Sequence, residues 1–435
     1  MKKRAALHNL GCKVNAYETE AMEQLLEKAG YEIVDFSQQA EVYVINTCSV
    51  TNIADRKSRQ MIHKAKNNNP NAIIVAAGCY VQTSLEKAKE DSSIDILIGN
   101  NKKHELVQRI QEFSQNREQV DGTIDISKDK IYESMELNHC GEHTRAFVKV
   151  QDGCNQFCSY CIIPYARGRV RSRALNEVLE EIKGLVKNGY KEVVLTGIHL
   201  SSYGVDFGMT LLQLIEGVHA VDGVERIRLG SLEPGIITEE FAKRLSQLEK
   251  VCPHFHLSLQ SGCQETLERM NRRYTPKEYK ERCAILRTFF EHPAITTDVI
   301  VGFPGETEEE FAITEQFLQE IHFYEVHLFK YSKRQGTKAA LMEGQILESV
   351  KHERSAQLMK LVKEEKKKFI SYYLNTEVEA LMEEKEEING ELYFTGYTKE
   401  YVKMAVLARE EQEYGNQCYH GKAIAMLNCD ILQLT

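Results

Sequence analysis

The chain has 435 residues, 42% hydrophobic and 27% charged, with a net charge of −9. That length exceeds one ordinary domain and predicts two or three. No apolar run approaches the ~20 residues that span a bilayer, and a globally basic nucleic-acid binder is excluded, so any such contact must rest on local patches. The opening MKKRAALHNLGC has basic residues but no long apolar stretch. No secretory signal and no membrane partner are expected, and the chain is expected to be cytoplasmic, where thiols stay reduced. Twelve cysteines then need explaining as metal ligands, catalytic groups or core rather than as disulfides.

Residues 1–112 read as alternating strand and helix. KKRAALHNL is a short apolar stretch, and AYETEAMEQLLEKA (16–29) has helix-period apolar positions that stop at Gly30. EVYVINTC, a polar helical stretch near 52–68 and the breaker NNNPN follow. AIIVAAGC, another helix and DILIGN complete the pattern. Strands separated by helices imply a parallel, doubly wound sheet. Residues 113–143 are polar and lack a period, and are read as a linker.

From 144 to 374 the alternation restarts. RAFVKVQ, KEVVLTG, RIRLGS, HFHLSLQ, ITTDVIVGF and EVHLFKYS are six candidate strands, suggesting an open, partial (βα)6 barrel. A charge-rich helix over 348–374 ends this domain. Residues 375–435, with VEALM, YVKMAVLA and KAIAML, read as a small all-β barrel or sandwich.

QDGCNQFCSYCIIPYARG holds Cys154, Cys158 and Cys161, spaced C-x3-C-x2-C. Three soft thiolates this close suit an iron–sulfur cluster or a zinc site. Three protein ligands leave one metal with an open position, as catalysis requires. The alternative is a structural site completed by a distant residue. This spacing resembles the signature of the radical S-adenosylmethionine enzymes. The resemblance implies a 4Fe–4S cluster on these cysteines, S-adenosylmethionine on its open iron, and a partial barrel whose first strand is RAFVKVQ. It places Tyr160 beside the adenine. Thr196 and Gly197 of LTGIHL occupy the place of the family's Gly-Gly-Glu stretch but depart from it. In HFHLSLQSG, alternation puts His254, His256, Ser258 and Gln260 on one face and Phe255, Leu257 and Leu259 on the other. The polar face either lines the barrel or belongs to a solvated edge strand. Gly302 of VIVGFPGET permits close backbone approach to a ligand, or simply makes the turn. Thr196, Gly197, Gln260 and Gly302 join Tyr160 as candidate cofactor contacts.

Cys12, Cys48 and Cys79 lie 36 and 31 residues apart, each where a candidate strand meets the next loop or helix. The carboxyl ends of parallel strands share one edge of the sheet, where ligands bind. One such cysteine suits a core, but three in register suit a second iron–sulfur site. Two triads in this order resemble the methylthiotransferases. The landmarks are LGCKVNAYETE, NTCSVT, AAGCY, DGCNQFCSYCIIPYARGRVRSR, LTGIHLSSYG, HLSLQSG and DVIVGFPGET, covering essentially the whole chain. The resemblance implies two 4Fe–4S clusters and S-adenosyl-L-methionine as cofactors. It implies a second cluster on Cys12, Cys48 and Cys79 that holds the sulfur to be inserted. Partners would be tRNA, an electron donor such as flavodoxin or ferredoxin, and a sulfur source.

LGCKVN and GIHLSSYG look most like the branch that acts on N6-threonylcarbamoyladenosine beside the anticodon. Isopentenyladenosine in tRNA and an aspartate of a ribosomal protein are the alternative targets. A non-enzymatic iron–sulfur protein that carries electrons or scaffolds RNA is the alternative of another class. The small terminal domain is implied to be an RNA-binding TRAM barrel. Residues 376–435 nevertheless hold twelve Asp/Glu against five Lys/Arg, so RNA contact there needs a narrow patch. YFTGYTKEYVK, with Lys399 and Lys403, is the candidate. Arg167, Arg169, Arg171 and Arg173 alternate in YARGRVRSR. If extended they share one face and grip phosphates; otherwise they pair with the acidic helix NEVLEEIK. KHERSAQLMKLVKEEKKKFI carries seven Lys/Arg against three Glu, a phosphate-tracking helix or a solvated face. Cys252, Cys263, Cys283, Cys418 and Cys429 read as core or incidental, and Cys140, near His143, as part of the linker.

Overall fold

The structure is a computed structural model and describes residues 2–135, 137, 144–409 and 413–435. Cys140 and His143 lie outside the described residues.

Strands β1 (Arg4–Asn9), β2 (Glu32–Ile33), β3 (Val42–Thr47), β4 (Ile73–Gly78), β5 (Ile96–Ile98) and β6 (Val120–Gly122) form one sheet in the order β2-β1-β3-β4-β5-β6. All neighbours are parallel. Helices α1 (Lys13–Lys28), α2 (Asn52–Asn68), α3 (Cys79–Thr83), α4 (Leu85–Lys89) and α5 (Leu106–Asn116) cover its two faces. Tyr43 and Ile45 pack with Ile62 and Ala65 of α2, while Val42 and Val44 pack with Met22 and Leu26 of α1. A strand buried on both sides needs a continuous apolar run, which is why VYVIN does not alternate with polar residues.

β6 corrects the expected boundary at 112: the first domain continues to at least Gly122. Three residues, V-D-G, are too short for any period to show. The stretch that follows is also tied down. Tyr17 Oη donates to the Met135 carbonyl at 2.7 Å and Tyr132 Oη to that of Lys149 at 2.7 Å.

The second domain contains β7 (Arg145–Asp152), β8 (Arg171–Ser172), β9 (Glu192–Gly197), β10 (Arg226–Leu229), β11 (His254–His256), β12 (Ala294–Val301) and β13 (Glu325–Lys330). Its helices are α6 (Ile163–Ala166), α7 (Leu175–Lys187), α8 (Leu211–His219), α9 (Glu239–Ser246), α10 (Gln264–Arg269), α11 (Pro276–Phe289), α12 (Glu308–Ile321) and α13 (Glu348–Ser371). β7, β9 and β10 pair in parallel, as do β11, β12 and β13, and a Leu232–Leu257 bridge joins the two sets. The result is the expected six-stranded open barrel. The expected strand HFHLSLQ is regular only over His254–His256, and Gln260 takes a left-handed conformation (φ 73°). Its alternation survives: Phe255, Leu257 and Leu259 are fully buried in the core under the outer helices.

The first domain covers the open side of this barrel. α1 packs on β7 and β9. Beyond β13, Arg334 pairs with Asp55 of α2 at 2.7 Å and donates to Ser49 Oγ at 2.8 Å. At the centre of this joint lies Glu18 of α1, fully buried. It accepts from Arg167 (2.9 and 3.0 Å), from Lys149 of β7 (2.7 Å) and from Lys103. Arg167 also binds Asp152 at 3.1 Å. Burial alone would raise the Glu18 carboxyl, but Arg167, Lys103 and Lys149 outweigh it and hold it well below the usual range.

Strands β14 (Glu377–Ile388), β15 (Glu391–Tyr397), β16 (Lys403–Leu407), β17 (Cys418–Met426) and β18 (Ile431–Leu434) close into a barrel ordered β14-β15-β16-β18-β17. Arginines of the second domain dock it. Arg226 donates to the Tyr397 carbonyl at 2.8 Å and to Glu379 at 2.6 Å, and Arg145 pairs with Glu383 at 2.7 Å. Tyr397 and Tyr401 stack at 4.5 Å, with Arg145 over both rings and Arg228 over Tyr401.

Two stability outcomes follow from these joints. Glu18→Ala leaves three buried cations without their counter-charge and should cost on the order of 3–5 kcal/mol by chemical denaturation, with Glu18→Gln costing less because its amide oxygen still accepts. Tyr401→Ala removes the ring between Arg145 and Arg228, worth about 1–2 kcal/mol, and should expose the segment between α13 and β14 to limited proteolysis.

Candidate functional site

Each cysteine of the first domain ends a strand on one edge of the sheet. Cys12 follows β1 and precedes α1, Cys48 follows β3, and Cys79 opens α3 after β4. Gly11 lets the Cys12 loop touch Cys48: a Cβ there would lie 2.9 Å from the Cys48 sulfur, and its φ of 108° suits glycine. Asn100 Nδ2 lies 3.4 Å from Cys79 Sγ and donates to the Ala166 carbonyl at 2.8 Å, which joins this thiol to the second domain. Burial, then the neighbouring Cys79 and Cys12, push the Cys48 thiol up to about 11. Cys12 is exposed to solvent, whereas Cys48 and Cys79 are buried.

The second triad occupies the loop after β7. Gly153 (φ 71°) cannot be replaced, because a Cβ would overlap the Arg169 carbonyl at 1.8 Å. Cys154 N donates to Gly168 O at 3.1 Å, Ser159 N to Met270 O at 3.0 Å, and Asn271 Nδ2 to Phe157 O at 3.0 Å. The loop is therefore pinned from both sides. Cys154, Cys158 and Cys161 line one cavity of about 130 Å³ with Tyr160, Gln156, His199, Glu233, Ser258 and Arg272. Arg272 Nη1 lies 3.2 Å from Cys158 Sγ and pairs with Glu233 at 2.7 Å. Burial, then the other thiols, push Cys161 up to about 12, and burial pushes Cys154 up to about 11. Three thiolates this close need a cation among them. Among the described residues no fourth cysteine lines this cavity. This donor set fits a metal cluster with one position open to a small ligand.

The loop of the second triad reaches the first through Ala166 and Arg167, beside the Glu18 joint. Arg167, five residues beyond Ile162 in the loop of the second triad, is fully buried, hydrogen-bonds Asn15 at 2.6 Å and acts electrostatically on Cys12, Cys48 and Cys79. This corrects its reading as a phosphate grip. Arg171 is buried beside Asp152, and Arg173 pairs with Glu181 at 2.7 Å and Glu177 at 3.6 Å, the acidic-helix alternative. Only Arg169 of the four is exposed, 4.4 Å over the Phe157 ring. The segment is not an extended strand, because β8 is two residues long and turns back on β7.

Of the expected cofactor contacts, Tyr160 lines the cavity. Thr196, Gly197, Gln260 and Gly302 do not. A Cβ on Gly197 would meet the Gln151 side chain at 2.9 Å, and Gln151 braces the loop through the Asp152 and Gly153 carbonyls. Gly302 makes room for Lys351 of α13, whose Cγ would lie 2.3 Å from a Cβ. Ile198 and His199, just past Gly197, take the expected place. Lys399 donates to the Glu249 carbonyl at 3.1 Å and Lys403 pairs with Glu386, so both amines are engaged within the chain. Cys252, Cys263 and Cys283 are core, whereas Cys418 is half-buried and Cys429 exposed.

Sequence reasoning missed Arg272, Glu233, His199, Asn15, Glu18 and Asn100. Glu233 and His199 follow strand ends, and Asn15 and Glu18 fall inside LGCKVNAYETE, which were the available signals. Arg272 and Asn100 carried none, since their partners come from distant segments.

Residues 4–99 match the "Uncharacterized protein family UPF0004", and residues 148–318 match the "Radical SAM superfamily". The chain is 44% identical over 409 residues to "Threonylcarbamoyladenosine tRNA methylthiotransferase MtaB" of Bacillus subtilis (strain 168), covering 93% of this chain and 91% of the relative. It is 39% identical to the protein of that name from Aquifex aeolicus (strain VF5), covering 93% and 99%. It is 38% identical to a "tRNA-2-methylthio-N(6)-dimethylallyladenosine synthase" of Caldicellulosiruptor saccharolyticus, covering 81% and 76%. The radical S-adenosylmethionine methyltransferase TsrM of Kitasatospora setae shares the fold, with a TM-score of 0.56, 17% identity, and coverage of 75% of this chain and 73% of that one. With two thiol triads on facing domains and relatives that span nearly its whole length, the chain belongs to the radical S-adenosylmethionine methylthiotransferases, in the branch of the threonylcarbamoyladenosine tRNA enzymes.

Proposed function

We propose that this protein methylthiolates N6-threonylcarbamoyladenosine in tRNA. The observation that carries the reading is the pair of thiol triads on packed domains, joined through Arg167 and Asn100. Cys154, Cys158 and Cys161 would hold one 4Fe–4S cluster and Cys12, Cys48 and Cys79 the other. When bound, the first supplies the electron that cleaves S-adenosylmethionine and the second the sulfur that is inserted.

The chain's own residues prepare both sites. Arg272 donates to Cys158 and places positive charge beside the thiolates. Burial would raise the Glu233 carboxyl, but the His199 hydrogen bond and the Arg272 charge hold it below the usual range. Glu233 thus stays ionised in the cavity, where it would accept a hydrogen bond from the polar groups of a bound cofactor. Tyr160 offers an aromatic face there, edge-on to Phe303 at 6.4 Å. In the other domain Arg167 lends positive charge to three thiols at once.

Substrate RNA needs exposed cations near these sites, and the buried arginines do not provide them. α2 does. It starts four residues after Cys48 and exposes Arg56, Lys57, Arg59 and Lys64. None of the four is in an ion pair among the described residues. Asp55, the acid of the first turn, is taken by Arg334. With Arg169 at the radical site, this helix is the phosphate-contacting surface in our reading. An external electron donor, a sulfur source and a cytoplasmic location complete it.

Anaerobic reconstitution should give about eight irons per chain, two four-iron clusters; about four would remove the second cluster. Nucleoside analysis of tRNA from a deletion strain should show loss of methylthio-threonylcarbamoyladenosine, and an unchanged profile would refute the assignment. Cys48→Ala should abolish methylthio product while 5′-deoxyadenosine still forms. Replacing Arg56, Lys57 and Lys64 by alanine should weaken tRNA binding and lower the slope of log Kd against log salt by roughly 2–3.

A further inference from the structure

The lumen of the open barrel contains a polar cluster that the two thiol sites do not use. β11 supplies His254 and His256, β12 Asp298 and β13 His327. His256 Nε2 lies 3.3 Å from Asp298, its Nδ1 lies 3.0 Å from Thr296 Oγ1, and its ring stacks on His327 at 5.8 Å. His254 is only 8% exposed, and its Nδ1 is buried with no hydrogen-bond partner. Lys13, next to Cys12, lies within electrostatic reach of His254, Arg228, Arg145 and Glu192. Lys13 is exposed to solvent and makes no hydrogen bond or ion pair among the described residues. By contrast Arg228 is matched by Glu192 at 2.6 Å and Arg145 by Glu383.

This cluster adjoins the chemistry. Ser258, one pleat beyond His256 and so about 7 Å along the strand, lines the cavity of Cys154, Cys158 and Cys161. Lys13 is the immediate neighbour of a thiol of the other triad. A ligand group lodged here would hold a purine between the two triads.

The buried His254 Nδ1 has no hydrogen-bond partner, and leaving such an atom unpaired is costly; the Lys13 ammonium is solvated but has no ion-pair partner among the described residues. The same histidines and Asp298 also have ligand atoms within 4.8 Å of one another, as a metal site requires. Lys13 alongside, which has no ion pair among the described residues, repels a cation and attracts an anion, and this favours the anion. The threonylcarbamoyl group carries a carboxylate and a hydroxyl on N6. N6 and the ring C2 lie on the same edge of adenine, so an arm anchored by its carboxylate presents C2 to the reacting side.

We infer that Lys13, His256 and His327 form a carboxylate-binding subsite in the barrel lumen, which takes the anionic arm of an N6-substituted adenosine. The inference rests on the function proposed above and names the contact that selects its substrate. Asp298 accepts the hydroxyl of that arm. An apolar N6 group would displace water from the Lys13 ammonium without supplying a counter-charge, and sites of this type reject such analogues strongly.

The test uses reconstituted holoenzyme and three anticodon stem-loops. One carries threonylcarbamoyladenosine, one its carboxamide, in which the carboxylate is replaced by an uncharged amide, and one dimethylallyladenosine. The wild-type protein should show a KM for the carboxylate substrate lower by about tenfold or more than for the carboxamide. Lys13→Met and His327→Leu should each erase most of that preference, with iron content unchanged as the control for folding. Equal use of carboxylate and carboxamide, or variants that keep the preference, would overturn the subsite and leave the proposed function standing. Product from the dimethylallyl stem-loop alone would overturn both. A stoichiometric divalent cation in the purified protein, absent from His256→Ala, would make the cluster a metal site and overturn the carboxylate assignment.

Discussion

Glu18 and Asp152 share Arg167, and the rest of the molecule is arranged around that contact. Two carboxylates and four cations, Lys103, Lys149, Arg167 and Arg171, lie almost wholly out of water. Taking such charges from water costs several kcal/mol per ion and is offset only by close, well-oriented partners. The network contributes little to net stability for that reason. Its effect is on geometry: any relative shift of the two domains separates paired charges in a low dielectric. The helix that begins beside Cys12 and the loop that holds Cys154, Cys158 and Cys161 are thereby held at a defined separation. A reaction that brings a radical and a sulfur atom to one carbon requires that separation to be kept.

The same constraint explains the charge around the thiols. Each triad places three acidic groups close together, and burial raises the cost of ionising them. The protein answers with one cation on each side, Arg167 at the first triad and Arg272 at the second. Both arginines are themselves anchored by carboxylates, Glu18 with Asp152 and Glu233. Neither is free to move toward substrate.

The terminal barrel shows how the aromatic residues of YFTGYTKEYVK are used. Tyr397 and Tyr401 lie against Arg145 and Arg228, and His254 packs on Tyr401 at 5.2 Å. The rings that suggested base stacking instead dock the terminal barrel against the second domain. An acidic barrel suits this role, because Glu379 and Glu383 neutralise arginines that would otherwise crowd together.

The order of elements was legible in the sequence because periodicity is local. VYVIN reads as a strand buried on both faces, and HFHLSL shows which side meets the helices. The C-x3-C-x2-C spacing and the recurrence of Cys12, Cys48 and Cys79 at strand ends were also legible, since parallel strands bring their carboxyl ends to one edge. The strand Val120–Gly122 was too short to register. The roles of the charged residues were not legible either. Arg167 and Arg173 alternate with Arg169 as a phosphate-binding face would, yet the partner of Arg167 lies 149 residues away in Glu18. Gly197 and Gly302 read as ligand contacts, yet each makes room for a side chain, Gln151 or Lys351. The sequence by itself determined which residue types end which strands, and hence where thiols gather. Only the tertiary structure decided which cations are buried to hold the two triads together and which, like Lys13 and the face of α2, remain open to a partner. The reason is that the pairing of a charge depends on what the fold brings within a few ångströms, and no local pattern records that.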